Sequence, residues 1–289
     1  MIPIRTVLCP VDFSPATDRQ VDVAADLSRA FGARLVLHHN RNSMGTVASV
    51  GWMWNADHRP PSPEQVAGRL QACLARVSNG LDTEARITQG PSSQTVLAAI
   101  ETVGADLVVL STHGAPDDDH ASITEEVLKR SGRSVLVLHD AGIEQHTPHF
   151  ASRSDEHQVV LVPTDLTPES RAAIAVGCDL TRRLRITLHL LHLLPYGSHK
   201  RSDYEGLVSQ ARAEMRALVP EDVVRVQLRV EDGDPAAGII HVAGEISADC
   251  IVMGEHTRAP IRRWLSKDTS HAVLREAPCP VWYVPGARV

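Results

Sequence analysis

The sequence predicts an α/β protein built as two tandem, doubly wound parallel-sheet domains. Three observations carry that expectation. Two short apolar runs with turn chemistry at their ends, Ala105-Asp-Leu-Val-Val-Leu-Ser-Thr-His-Gly114 and Ala248-Asp-Cys-Ile-Val-Met-Gly-Glu-His-Thr257, are one element written twice, 143 residues apart. Such runs read as strands buried on both faces. Hydrophobic residues make up 43% of the 289 positions but aromatics only 3%, so the cores must be aliphatic, as in parallel sheets covered by helices. Finally, Pro10-Val-Asp-Phe-Ser-Pro15 returns as Pro163-Thr-Asp-Leu-Thr-Pro168, at an offset of 153 with both prolines and the aspartate matching.

Each element has its own local reason. Thr6–Asp12 reads as strand one. Ser14-Pro15 then starts a helix, with serine as cap and proline at the first helical position. Val21, Ala24, Ala25 and Phe31 give that helix an apolar face, and Gly32 ends it. Residues 34–38 are strand two. Residues 41–63 form a long connection holding Trp52 and Trp54, which suits either a lid or partner patch or packing over its own domain. Ser62-Pro63 with Gln65 is a capping-box start for helix two, whose face is Val66, Leu70, Cys73, Leu74 and Val77. Residues 84–90 are strand three. Val96, Ala99, Ile100 and Val103 mark helix three, returning as Ile239, Val242, Ala243 and Ile246. Ser122-Ile-Thr-Glu125 caps helix four, and residues 134–138 form strand five, with Val281–Val284 as its counterpart. Val-Leu-His38 returns as Leu-Leu-His192. The domains are set at residues 1–140 and 158–289. Residues 141–157, without period, form the linker; its His146, His149 and His157 suit a metal site only if an ordered scaffold gathers them. Right-handed crossovers give each domain the flavodoxin-like, Rossmann-like strand order 3-2-1-4-5.

Composition narrows the function. A net charge of −6 with interspersed signs argues against a nucleic-acid surface. No apolar run approaches the roughly 20 residues of a membrane span. The start, Met1-Ile-Pro-Ile-Arg-Thr, leads straight into a strand without a signal-peptide pattern. Five scattered cysteines without metal or Cys-x-x-Cys spacing read as buried free thiols of a reducing cytoplasm. The expectation is a cytoplasmic protein with no membrane or nucleic-acid partner and no metal.

Pro-Val-Asp-Phe-Ser after strand one, Ser-Thr-His-Gly and Met-Gly-Glu-His after strand four, and Val-Leu-Arg-Glu-Ala-Pro-Cys-Pro-Val281 before the last strand together resemble the universal stress protein family in its tandem form. The resemblance implies ATP held by Gly-x-x-Gly-(nine residues)-Gly-Ser/Thr after strand four, with the strand-one aspartate on the adenosine. Here those positions read Ser111, Gly114, Ala121 and Ser122 in the first half, with a shortened loop carrying Asp117, Asp118 and Asp119. In the second half they read Gly254, Thr257, Lys267 and Asp268. Side chains at glycine positions block backbone approach to phosphate, and clustered carboxylates repel it. Asp12 and Asp165 remain, suiting either an adenosine contact or the organisation of the turn into helix one. Ser122 suits either a phosphate ligand or a helix cap. His113 and His256 repeat in register, without an evident catalytic partner.

The expected protein is therefore a non-enzymatic, tandem universal-stress-type protein with degraded ATP motifs. Asp12, Ser111, Gly114, Ser122, Asp165, Gly254, Thr257 and Lys267 are its candidate nucleotide positions. No catalytic residue and no obligatory cofactor is expected, with ATP, ADP or AMP as candidate small molecules. Intramolecular pairing of the two domains through their last strands, and further pairing of chains, are the expected assemblies. The alternative is an adenine-nucleotide-binding switch or slow ATPase.

Overall fold

The computed structural model describes residues 3–41, 62–112, 119–139, 150, 158–167, 170–194, 203–254 and 267–286. The chain forms two compact units, the first built mainly on Pro3–Gly142 and the second mainly on Ser152–Val289. Phe150, inside the stretch expected to be a solvated linker, is buried and belongs to the first unit.

The first unit runs β1 (Thr6–Pro10), α1 (Thr17–Phe31), β2 (Arg34–Asn40), α2 (Pro63–Val77), β3 (Thr83–Thr88), α3 (Ser92–Val103), β4 (Leu107–Thr112), α4 (Asp119–Arg130) and β5 (Ser134–His139). The second runs β6 (Gln158–Pro163), α5 (Arg171–Arg183), β7 (Ile186–Leu194), α6 (Tyr204–Leu218), β8 (Val226–Asp232), α7 (Pro235–Glu245), β9 (Cys250–Gly254), α8 (Lys267–Glu276) and β10 (Val281–Val284). The strand orders are β3-β2-β1-β4-β5 and β8-β7-β6-β9-β10. All pairs within each unit are parallel. This is the expected doubly wound order, repeated.

The cores are aliphatic. Val7, Leu8, Leu35, Leu37, Leu107 and Val109 are fully buried in the first unit, as are Val160, Leu188, Leu190, Ile251 and Val252 in the second. The capping box forms as expected: Ser62 Oγ accepts from Gln65 N–H at 3.3 Å, and Gln65 Oε1 accepts from Ser62 N–H at 2.8 Å. Gly32 closes α1 with φ 65°, a left-handed position that glycine adopts without Cβ strain.

Order reverses between β1 and β4, and again between β6 and β9. Both junctions are pinned at the N-terminal end of the strands. Asp106 Oδ2 accepts the N–H groups of Arg5 at 2.8 Å and Thr6 at 3.1 Å, and Asp249 Oδ2 accepts that of Val159 at 2.7 Å. At the other end the ladder stops early. The registered pairs are Val7↔Leu107 and Leu8↔Val108, and Val160↔Cys250 and Leu161↔Ile251. Pro10 and Pro163 have no N–H with which to continue. In each unit the ladder therefore ends short of the place where an α/β sheet binds ligands, the carboxyl ends of strands beside the switch point.

Four sequence expectations need correction. Helix α1 begins at Thr17, with Ala16 as a cap that makes no side-chain hydrogen bond; Ser14 and Pro15 belong to the preceding turn, because Asp12 claims the Ser14 N–H. Ser122 does not cap α4, since the helix already starts at Asp119. Strand β2 runs on to Asn40. Pro10 registers with His38 and Pro163 with Leu191, so the counterpart of His192 is His39, not His38.

Candidate functional site

At the end of β1, Asp12 Oδ1 accepts the N–H of Ser14 at 2.9 Å and the hydroxyl of Thr17 at 3.3 Å. At the end of β6, Asp165 Oδ1 accepts the N–H of Thr167 at 3.1 Å and its hydroxyl at 2.5 Å. An aspartate that bonds the backbone two residues on bends the chain sharply. The residue inside each bend, Phe13 or Leu166, has φ 61° or 62°, an uncommon conformation for a residue with a large side chain. Both aspartates thus organise the strand-to-helix turn.

Beside each turn stands an imidazole from the neighbouring strand. His39 Nδ1 lies 2.7 Å from the Val11 carbonyl oxygen, and His192 Nδ1 lies 2.8 Å from that of Thr164. A carbonyl only accepts, so Nδ1 carries the proton in both rings. The Phe13 ring packs on His39 with centroids 4.6 Å apart, and the Arg69 guanidinium lies 5.4 Å from the Phe13 centroid. Burial lowers the His39 pKa, aided by Arg69 and opposed by the Val11 carbonyl and Asp12. Its Nε2 is buried with no hydrogen-bond partner among the described residues.

His38 points to the other face of the sheet, where its Nε2 meets Thr88 Oγ1 at 2.8 Å. Burial, then the neighbouring His39 and Arg86, lower its pKa to about 4. It is a neutral core histidine at pH 7.

The residue that sequence reasoning missed is Gln20. It is 3% exposed and bridges β1 and β4 of the first unit beyond the end of their registered ladder. Its Nε2 donates to the carbonyls of Pro10 at 2.7 Å and Val109 at 2.8 Å, and its Oε1 accepts from Ser111 Oγ at 3.2 Å. Two carbonyls beside one amide nitrogen fix the amide's orientation. The signal was present: Gln20 shares the core stripe of α1 with Ala24 and Leu27, both fully buried, and a polar residue on that stripe needs partners.

Of the eight candidate positions, Asp12 and Ser111 come together at one strand-end edge of the first unit, and Asp165 and Gly254 at the same edge of the second. Ser111 is bound to Gln20, and Gly254 is the buried last residue of β9. Ser122 lies within α4, and Lys267 is the first residue of α8 with Asp268 following in the same helix. Gly114 and Thr257 lie outside the described residues, as do His113, His256, Trp52, Trp54, Asp117, Asp118 and the three linker histidines. Among the described residues no group of histidine, cysteine and carboxylate side chains could hold a metal ion, and no helix is long and apolar enough to cross a membrane. All five cysteines are free; Cys9, Cys178, Cys250 and Cys279 are buried.

Two flavodoxin-like units, each with an aspartate-organised turn at the strand ends beside the switch point, define a tandem α/β protein. The model of the universal stress protein family matches residues 3–139 and 156–285, and the chain belongs to that family. A universal stress protein from Archaeoglobus fulgidus is similar over 97% of this chain and 98% of its own, at 18% identity and a TM-score of 0.66. A functionally unknown protein from Pseudomonas aeruginosa PAO1 is similar over 98% of this chain and 93% of its own, at 16% identity and a TM-score of 0.66. At these identities the likeness is one of fold. No curated protein matches the sequence.

Proposed function

We propose that this protein is a non-enzymatic universal-stress-type protein that binds adenine nucleotide weakly and without preference for the triphosphate. The observation that carries the reading is that Ser111, at a family phosphate-loop position, spends its hydroxyl on Gln20. The substitutions at Thr257, Lys267 and Asp268 and the acidic run from Asp117 to Asp119 support it, since backbone donors for phosphate are obstructed and anions repelled. The expected ATP dissociation constant is above about 100 μM, with AMP or adenosine binding comparably. Calorimetric titration of the full chain tests this; low-micromolar ATP binding with weak AMP binding would overturn it.

A second reading, a nucleotide switch or slow ATPase working through the second unit, is favoured by one feature, the glycine kept at 254. Phosphate release by the purified chain above a no-protein control would select it.

The apolar sequences of the last strands, Val135-Leu-Val-Leu138 and Val281-Trp-Tyr-Val284, support pairing of the two halves within a chain, since tethered apolar edges meet at high effective concentration. The cytoplasm is the compartment in which five free thiols stay reduced.

A further inference from the structure

The two units differ at a pair of positions whose side chains touch in one unit and cannot touch in the other. The offset that places Asp12 on Asp165 places Gln20 on Ala173. The strand registers, Val7↔Leu107 and Val160↔Cys250, place Ser111 on Gly254. The hydrogen-bonded pair Gln20–Ser111 is thus replaced by Ala173 and Gly254, neither of which carries a polar side-chain atom.

We infer that Gln20 and Ser111 plug the switch-point crevice of the first unit from within, so that adenine nucleotide enters the crevice of the second unit alone. This rests on the nucleotide-binding reading above and assigns it to one unit. In the first unit both hydrogens of the Gln20 amide are committed, to Pro10 O and Val109 O. The Ser111 hydroxyl donates to Gln20 Oε1 and has no second hydrogen to offer a ligand. A ligand entering between β1 and β4 would have to lift that amide away and leave two carbonyls without their donor, the costly direction for a buried polar network. In the second unit Ala173 is fully buried and offers no amide, while Gly254 has no Cβ to stand between a ligand and the backbone. The shared features of the two crevices, the early-ending ladder and the aspartate turn, are the same in both. Access is set by the two positions that differ.

The test is photolabelling of the full chain with 8-azido-AMP at millimolar concentration, followed by peptide mapping. The parent should label only peptides within residues 158–286. The double variant Gln20→Ala/Ser111→Gly, which gives the first unit the residues of the second, should raise labelling within residues 3–139 by at least about tenfold. The reciprocal variant Ala173→Gln/Gly254→Ser should lose the label of the second unit. Circular dichroism of each variant checks that it is folded, and Gln20→Ala alone serves if the double variant is not. Equal labelling of both units in the parent overturns the plug, as does a folded plug-removed variant whose first unit stays unlabelled. If the parent takes no label but the plug-removed variant labels its first unit, the plug stands and the nucleotide reading of the second unit falls.

Discussion

Phe13 and Leu166 hold the same left-handed backbone conformation, one in each unit, at φ 61° and 62°. Neither is a glycine, so each unit sustains a conformation that costs on the order of 1 kcal/mol or more. What sustains it is the aspartate just before. Asp165→Ala should therefore destabilise the second unit by about 1–2 kcal/mol through loss of the bond to the Thr167 N–H, and Asp12→Ala should do the same to the first. Asp165→Asn keeps an acceptor and should cost less than half as much. Urea denaturation reads the effect. Unchanged stability with altered AMP affinity would return these aspartates to the ligand-contact role.

Acid should weaken the first unit more than the second. The folded-state pKa of His38 is about 4, below the ordinary 6.5, so between those values the unfolded chain binds the extra proton. The stability from neutral His38 is whole above about pH 6.5 and is lost as pH falls towards about 4, by up to about 3 kcal/mol. His39, also lowered by burial, acts in the same direction. Arg86 registers directly opposite His38 on β3 and disfavours its cation. His38→Leu, which copies Leu191 of the second unit, should flatten the slope. A pH profile of denaturation midpoints identical in parent and variant would refute the assignment.

Two glycines in helices should respond oppositely to alanine. A Cβ at Gly177 would lie 2.9 Å from Leu188 Cδ1 and 2.9 Å from Val162 Cγ2, so Gly177→Ala should destabilise the second unit by about 1–3 kcal/mol through overpacking. A Cβ at Gly68 in α2 would meet nothing within 4 Å, and Gly68→Ala should stabilise by about 1 kcal/mol through helix propensity alone. Thermal denaturation of the two variants gives the comparison.

Repairing the second phosphate loop should raise ATP affinity. Thr257→Gly, Lys267→Gly and Asp268→Ser together restore backbone approach and remove a repelling carboxylate. Lys267 opens α8, so glycine there costs about 1 kcal/mol of helix stability. Titration must therefore be made on a variant shown to be folded. Unchanged affinity in that variant would mean that other residues close the pocket.

The legible part of this protein was what lies close along the chain. The doubled strand-four run, the Ser62–Gln65 capping box and the left-handed stop at Gly32 are each decided by a few consecutive residues. What stayed hidden depends on groups brought together from far apart. Gln20 meets Val109 and Ser111, 89 and 91 residues away; its place on the core stripe of α1 signals that it needs partners, but no local pattern says which ones. The late start of α1 had a local cause, but serine followed by proline reads equally as a cap or as the turn that Asp12 makes of it. The pairing of His192 with His39 became visible only from strand register, because adjacent histidines in one strand point to opposite faces.

The carboxylates of Asp106 and Asp249 and the prolines at 10 and 163 have a joint mechanical meaning. Each sheet is a fan, riveted between its central ribs at one end and free to spread at the other. Spreading should be resisted in the first fan, where the Gln20 amide ties the ribs together near their tips, and easier in the second, where Ala173 ties nothing. The amide protons of Val252 to Gly254 should therefore exchange with solvent faster than those of Val109 to Ser111, though both stretches are strands of the same sequence element.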